Sequence, residues 1–256
     1  MPVSETKKEV SILIPAYNEA LQIEKCVRAV NDAVSAFSNS YEIIVTEDGS
    51  TDETSSIVSK LMKTMPNLRF LHMPIRLGKG KAIKRGLGSA QGEIILFMDV
   101  DLATNLDYLP KFLELIKTNG GLAIGSRYAQ GAIVKRHFSR TMASLVYNIF
   151  VRALFLDGIK DHQCGFKAMS SDVARASESV KADGFFFDTE MILRCKKLGF
   201  PVMEVGVEWA ENPRLSESKV RVFNDAQKIG KDMLLFRLND YKHLKNNFKS
   251  KKNVNF

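Results

Sequence analysis

No run in this chain of 256 residues reaches the roughly 18 uninterrupted apolar positions of a membrane-spanning helix, so none is expected. The opening residues, MPVSETKKEV, lack the apolar centre of a secretory signal. Cysteine is scarce: the three present, Cys26, Cys164 and Cys195, lie far apart and without metal-ligand spacing. That excludes a disulfide framework and fits free thiols in a reducing cytoplasm. There is no internal repeat and no low-complexity linker. A soluble or peripheral protein is expected. Its apolar fraction of 45% suits one sizeable core, and its net charge of +8 attracts anions. The charge gives a sign without choosing among nucleotides, phospholipid head groups and nucleic acid. The absence of a stacked-aromatic or RNA-binding motif argues against nucleic acid.

The most informative stretch is 93–101, EIILFMDVD. Its apolar run has the pattern of a strand buried on both faces, and it stops at Asp99 and Asp101 with Val100 between them. Where a strand frays into a loop, this spacing lets two carboxylates converge on one ion. Mg2+ and Mn2+ are often held by one or two carboxylates plus the phosphates of a substrate. A metal-diphosphate site is one reading of the pair, and a polar strand end is the other.

Upstream, strands are expected at 9–15, 41–45 and 68–73, with helices at 20–37, from the acidic loop 46–52 to about 65, and at 82–90. Asn18 is placed to cap the first helix, with Glu19 in its first turn. Residues 76–81, RLGKGK, read as a glycine-lysine loop. This alternation predicts a mostly parallel, doubly wound α/β sheet with its polar loops gathered at the carboxyl ends of the strands.

Downstream, a strand at 121–126 ends at Arg127, whose fork suits phosphate oxygens. Residues 135–156 start basic and continue apolar, the composition of a helix that lies on a bilayer surface or packs on a core. Arg140 and Ser144, four apart, share one face of it. A strand at 165–169 precedes a helix, and Cys164 reads as a packed small residue. Asp188 and Glu190 lie before a helix at 191–198, as a general-base pair or as a helix-start cap. A strand at 202–209, a polar loop at 212–219, an amphipathic helix at 223–238 and a basic tail at 242–252 complete the chain. The tail suits either attraction to anionic lipid or a solvated end.

Taken together, Pro15-Ala16-Tyr17-Asn18-Glu19, Glu47-Asp48-Gly49-Ser50-Thr51-Asp52, Gly78-Lys79-Gly80, Asp99-Val100-Asp101 and Gly125-Ser126-Arg127-Tyr128 resemble the family 2 glycosyltransferases of the GT-A fold. The resemblance runs in order over residues 10–238. Within the family it is closest to the polyprenyl-phosphate branch, and nearer dolichyl-phosphate glucosyltransferases than mannosyl-phosphate synthases. Asp161-His162-Gln163-Cys164-Gly165-Phe166-Lys167, Phe187-Asp188-Thr189-Glu190, Trp209 with Glu211, Ser218-Lys219 and Gly230-Lys231-Asp232-Met233-Leu234 carry that preference.

The resemblance implies a single GT-A catalytic domain over 1–222, a C-terminal extension over 223–256, and transfer of glucose from UDP-glucose to a polyprenyl or dolichyl phosphate with inversion. It places Pro15, Tyr17, Glu19 and Asp48 at the nucleoside, with Lys79 and Val100 also on the donor side. Asp99 falls at the ribose, sugar or metal, and Asp101 at a Mg2+ or Mn2+. Arg214 and Lys219 would close over the diphosphate, and Arg127, Arg140 and Ser144 would aim the lipid phosphate. A phosphate acceptor is already anionic and needs no base, so Asp188 and Glu190 read first as positioning groups. GDP-mannose as donor, or a hydroxyl acceptor that requires one of those acids as base, are the alternatives. Ala103 and Thr104 follow the aspartates where mannosyl relatives carry Gln or His, and Arg76 stands where relatives have asparagine. The expected location is the cytoplasmic face of a membrane, reached by the interfacial helix or through a membrane partner subunit.

Overall fold

A computed structural model describes residues 8–211 and 229–238, apart from the side chains of Ser139 and Arg140. Arg214, Lys219, the boundary at 222, the start of the expected helix at 223 and the basic tail lie outside the described residues. So does the side chain of Arg140.

A seven-stranded sheet forms the centre. The strands β1 (Lys8–Ala16), β2 (Tyr41–Glu47), β3 (Leu68–Leu71) and β4 (Gly92–Met98) run parallel, as the pattern predicts. Successive side chains alternate between two buried layers. Ile12, Ile14, Leu96 and Met98 face one layer, while Leu13, Ile95 and Phe97 face the other. Burial on both faces is why these segments read as continuous apolar runs. Helices α1 (Ile23–Ser35), α2 (Thr54–Met62) and α4 (Leu109–Asn119) cover the first layer. On α1 the buried set Ile23, Cys26, Val27, Val30 and Val34 follows the helical period. The second layer is covered by α3 (Lys79–Ser89), α6 (Ser171–Ser177) and α7 (Phe187–Lys197).

Beyond β4 the order continues with β7 (Phe166–Ser170), β5 (Leu122–Ser126) and β8 (Val202–Gly206). β7 runs antiparallel to both neighbours, so its first residues meet the last residues of β4: Met98 pairs with Phe166, and the Asp99 N–H donates to the Gly165 carbonyl at 3.0 Å. A small second sheet pairs β6 (Ile133–Lys135) with β9 (Glu208–Ala210), because the expected strand 202–209 breaks at Val207. Helix α5 (Phe138–Phe155) follows β6, and a helix over 229–238, α8, rests on its far end, where Phe155 and Phe236 meet edge to face at 5.8 Å. No helix among the described residues is long and apolar enough to cross a membrane.

Three local expectations are corrected. Asn18 does not cap α1; it takes a left-handed φ of 53° and its Oδ1 accepts the Thr51 N–H at 2.8 Å, tying two loops together. Lys79 and Lys81 are not in a loop, because α3 already begins at Lys79. The turn is made by Gly78 (φ 111°), where a Cβ would stand 2.4 Å from the Asp183 carbonyl oxygen. Helix α7 starts at Phe187, so Asp188 and Glu190 lie in its first turn, where acids suit the helix dipole.

Candidate active site

The carboxyl ends of β1, β2 and β4 bring the sequence-predicted groups to one edge, and the Asp48 N–H donates to the Ala16 carbonyl across two of them. At the outer end, Pro15 is the penultimate residue of β1 and Tyr17 follows its end, with the Arg76 guanidinium 4.0 Å from the Tyr17 ring centroid. The Glu19 N–H donates to Thr54 Oγ1 at 2.8 Å. Asp48 is buried, and its two carboxylate oxygens accept the N–H groups of Leu77 and Gly78, each at 2.8 Å. Asp48 therefore braces the loop before α3, with a lone pair left on each oxygen for a ligand.

At the inner end, Asp99 Oδ1 lies 2.7 Å from Lys79 Nζ. Burial works against the Lys79 charge, but Asp99, then Asp188, keeps its pKa above the ordinary lysine value. Val100 is buried in the core between the two acids. Asp101 Oδ1 accepts the Ala103 N–H at 3.0 Å, and burial, then the like charge of Asp99, pushes its pKa up to about 6. A cavity of about 10 Å³ lies between the two acids, Thr104, Gly165 and Trp209, about the size of one water. The donor set is all oxygen, and one ammonium, that of Lys79, faces two carboxylates, which fits a hard divalent ion. Among the described residues no third His, Cys, Asp or Glu joins the pair, so a bound Mg2+ or Mn2+ would take its other ligands from substrate and water.

Arg127, at the end of β5, is buried and aimed by Asp161. Its N–H and Nε donate to Asp161 Oδ2 at 3.0 and 2.7 Å, and its Nη2 donates to Asp161 Oδ1 at 2.8 Å. Burial would raise the Asp161 pKa, but the hydrogen bonds and charge of Arg127 hold it below the usual carboxylate range. Nη2 also reaches Ser144 Oγ on α5 at 3.3 Å, so two of the predicted acceptor groups are neighbours.

Asp188 and Glu190 are occupied elsewhere. Asp188 pairs with Lys167 Nζ at 2.6 Å, both side chains fully buried. Glu190 accepts the N–H groups of Lys181 and Ala182 at 3.0 and 2.9 Å, and Arg194 Nε at 2.7 Å. The roles of Asp161 towards Arg127, of Lys167 towards Asp188 and of Gly165 beneath Asp99 were not assigned from the residues. Only their place in the 161–167 motif marked them.

A mostly parallel sheet flanked by helices, with a carboxylate pair past the end of β4, has the architecture of the GT-A class. The family model for glycosyl transferase family 2 matches residues 11–176. The chain belongs to that family. Glycosyltransferase AglD of Haloferax volcanii is 36% identical over 230 residues, 88% of this chain, but the chain spans only 36% of AglD. The dolichyl-phosphate beta-glucosyltransferase of Dictyostelium discoideum is 31% identical, covering 89% of this chain and 73% of that protein. Its Homo sapiens counterpart is 30% identical, covering 90% and 75%. Among solved structures, glucosyl-3-phosphoglycerate synthase from Mycobacterium tuberculosis with Mn2+, UDP and glucosyl-3-phosphoglycerate superposes with a TM-score of 0.65 at 20% identity. That match covers 90% of this chain and 80% of the other, and shows the shared fold.

Proposed function

We propose that the enzyme moves glucose from UDP-glucose to the phosphate of a polyprenyl or dolichyl phosphate at a membrane surface. The observation that carries this reading is the position of Arg127, which reaches Ser144 and lies with its guanidinium carbon 5.6 Å from the ring centroid of Trp209, a residue that lines the cavity at Asp99 and Asp101. The names of the beta-glucosyltransferase relatives support the acceptor and the sugar.

In this reading Tyr17 and the Asp48-braced loop bind the nucleoside, and Asp99 with Lys79 faces the sugar and diphosphate. Asp101 and Asp99 would hold a Mg2+ or Mn2+, which when bound would supply counter-charge to the diphosphate. Arg127 and Ser144, with Arg140, orient the acceptor so that its anionic oxygen forms the new bond to the sugar's C1. The C1–O bond to UDP breaks with inversion, and UDP leaves with the electron pair. No proton has to be removed from the acceptor. This agrees with Asp188 and Glu190 being committed to Lys167, Arg194 and backbone amides. A hydroxyl acceptor would need one of them released.

The test is incubation of the full chain with Mg2+, a short prenyl phosphate and either UDP-glucose or GDP-mannose. Lipid-linked glucose is expected from the first donor. Product from GDP-mannose alone would overturn the glucosyl assignment.

The membrane part of the reading rests on α5. Phe138, Met142, Val146, Ile149 and Phe150 are exposed at helical spacing, and Leu234, Leu235 and Leu238 of the adjoining α8 are exposed as well. A bilayer surface is the occupant that suits an apolar stripe with exposed basic residues at Lys135, Arg152 and Lys231. The double variant V146D/F150D should lose flotation with anionic vesicles and activity on vesicle-embedded polyprenyl phosphate, while keeping activity on a short water-soluble prenyl phosphate. Unaltered flotation would assign the stripe to a protein subunit instead.

A further inference from the structure

Beside Arg127 stands a second arginine that none of the assignments above uses. Arg136 lies between β6 and α5, and its Nε and Nη1 are shielded from solvent with no hydrogen-bond partner among the described residues. Buried donors left unpaired in a native fold call for a partner such as water or an anion. The Arg136 guanidinium carbon lies 5.2 Å from the Trp209 ring centroid, and that of Arg127 lies 5.6 Å from the same ring. Two guanidiniums thus share one indole. Arg127 spends Nε and Nη2 on Asp161 and Ser144, which leaves Nη1 without a partner among the described residues. Burial and the charge of Arg127 hold the Arg136 pKa below the ordinary arginine value, so the two like charges repel. Among the described residues the charges of Glu211 and Asp161 act on Arg136; Asp161 is consumed by Arg127, and Glu211 accepts the His137 N–H at 3.1 Å.

Trp209 connects this pair to the reaction. Trp209 is among the residues that line the cavity at Asp99 and Asp101, and its strand position bridges to Thr104, just past those acids. Both guanidiniums thus lie against Trp209, the residue that also borders the carboxylate pair's cavity.

We propose that Arg136 is a further guanidinium of the acceptor site, holding a phosphate monoester jointly with Arg127 beside the Trp209 indole. This rests on the acceptor reading given above. A phosphate dianion offers enough oxygens for two forks, and pairing with both removes the repulsion and the two orphaned donors in one step.

Trp209 is the chain's single tryptophan, so its fluorescence reports on this place directly, without turnover. The full chain is titrated with farnesyl phosphate, farnesol and inorganic phosphate. Farnesyl phosphate is expected to change the emission at the lowest concentration and farnesol to leave it unchanged. In R136Q the affinity for farnesyl phosphate should fall roughly 10- to 100-fold, the worth of a charge-assisted hydrogen-bonded pair, with UDP-glucose affinity by calorimetry unchanged. R136K, which keeps the charge and loses the fork, should recover part of the loss. Unaltered farnesyl phosphate affinity in R136Q would overturn the proposal, and inorganic phosphate binding as tightly as farnesyl phosphate would overturn its assignment to the lipid. If binding depends on Arg136 but no sugar is transferred, the proposed reaction fails and the anion site stands. If transfer persists in R136Q with unaltered KM for the acceptor, the anion site fails and the reaction stands.

Discussion

Replacing Asp188 with alanine should lower the unfolding free energy by about 3–5 kcal/mol, because it strands a buried ammonium. Lys167 is wholly enclosed: its Nζ touches Asp188 at 2.6 Å, donates to the Cys164 carbonyl and lies 5.3 Å from the Phe97 ring centroid. Losing the carboxylate removes the one opposite charge that Lys167 contacts among the described residues, and the carbonyl and the ring cannot replace it. The double variant K167M/D188L, which removes both charges at similar volume, should regain most of that stability, since a buried pair is often no better than a packed apolar one. Urea unfolding of the three proteins measures this. The series also separates two roles. A general base would cost turnover with little loss of stability, whereas a structural pair costs stability first and is repaired by the double change.

The second large effect falls on activity. Asp101→Asn should reduce kcat/KM by about 10²–10³-fold, the scale seen when one preorganised electrostatic group at a reacting centre is lost. Gly165→Ala should act in the same direction through Asp99. A Cβ at Gly165 would stand 1.8 Å from Asp99 Oδ2 and 2.3 Å from its Cγ, positions that cannot coexist. The Asp99 side chain is 42% exposed, so it can swing outward and the fold survives, but it then abandons Lys79. Near-normal melting with a large loss of transfer is the expected pattern. Gly88→Ala is the control: a Cβ there meets nothing within 4 Å, and alanine suits a helix better than glycine does. Equal losses in both glycine variants would show that the effect is not steric at Asp99.

The parts of the fold that were legible in the residues are those with local causes. Strands buried on both faces announce themselves as unbroken apolar runs, and the loops after Pro15, Val45 and Met98 follow from the parallel order. Direction is less visible. The run 165–169 reads the same whichever way it points, and its antiparallel setting in β7, which brings Gly165 against Asp99, is decided by long-range packing. Helix starts shifted where tertiary contacts outbid local signals: Asn18 bonds the Thr51 amide instead of capping, and Gly78 packs on Asp183, so α3 begins early.

The proposed acceptor end draws on residues whose type is visible in the sequence and whose partners are not. Arg127 stood out at a strand end, but the Asp161 that aims it lies 34 positions away, and no spacing rule links the two. Arg136 was visible only as one of several basic residues before α5. Its orphaned donors, and the indole it shares with Arg127, exist only once β6 and β9 are paired.

The most direct measurement is a comparison of acceptors with the same chain, donor and metal: UDP-glucose labelled in the sugar, Mg2+, and either a polyprenyl phosphate or the matching polyprenol. Label should enter the lipid fraction with the phosphate, at a rate lowered by Asp101→Asn, and should not enter it with the alcohol. Transfer to the alcohol as fast as to the phosphate, abolished by Asp188→Asn in a protein that remains folded, would contradict the proposed chemistry.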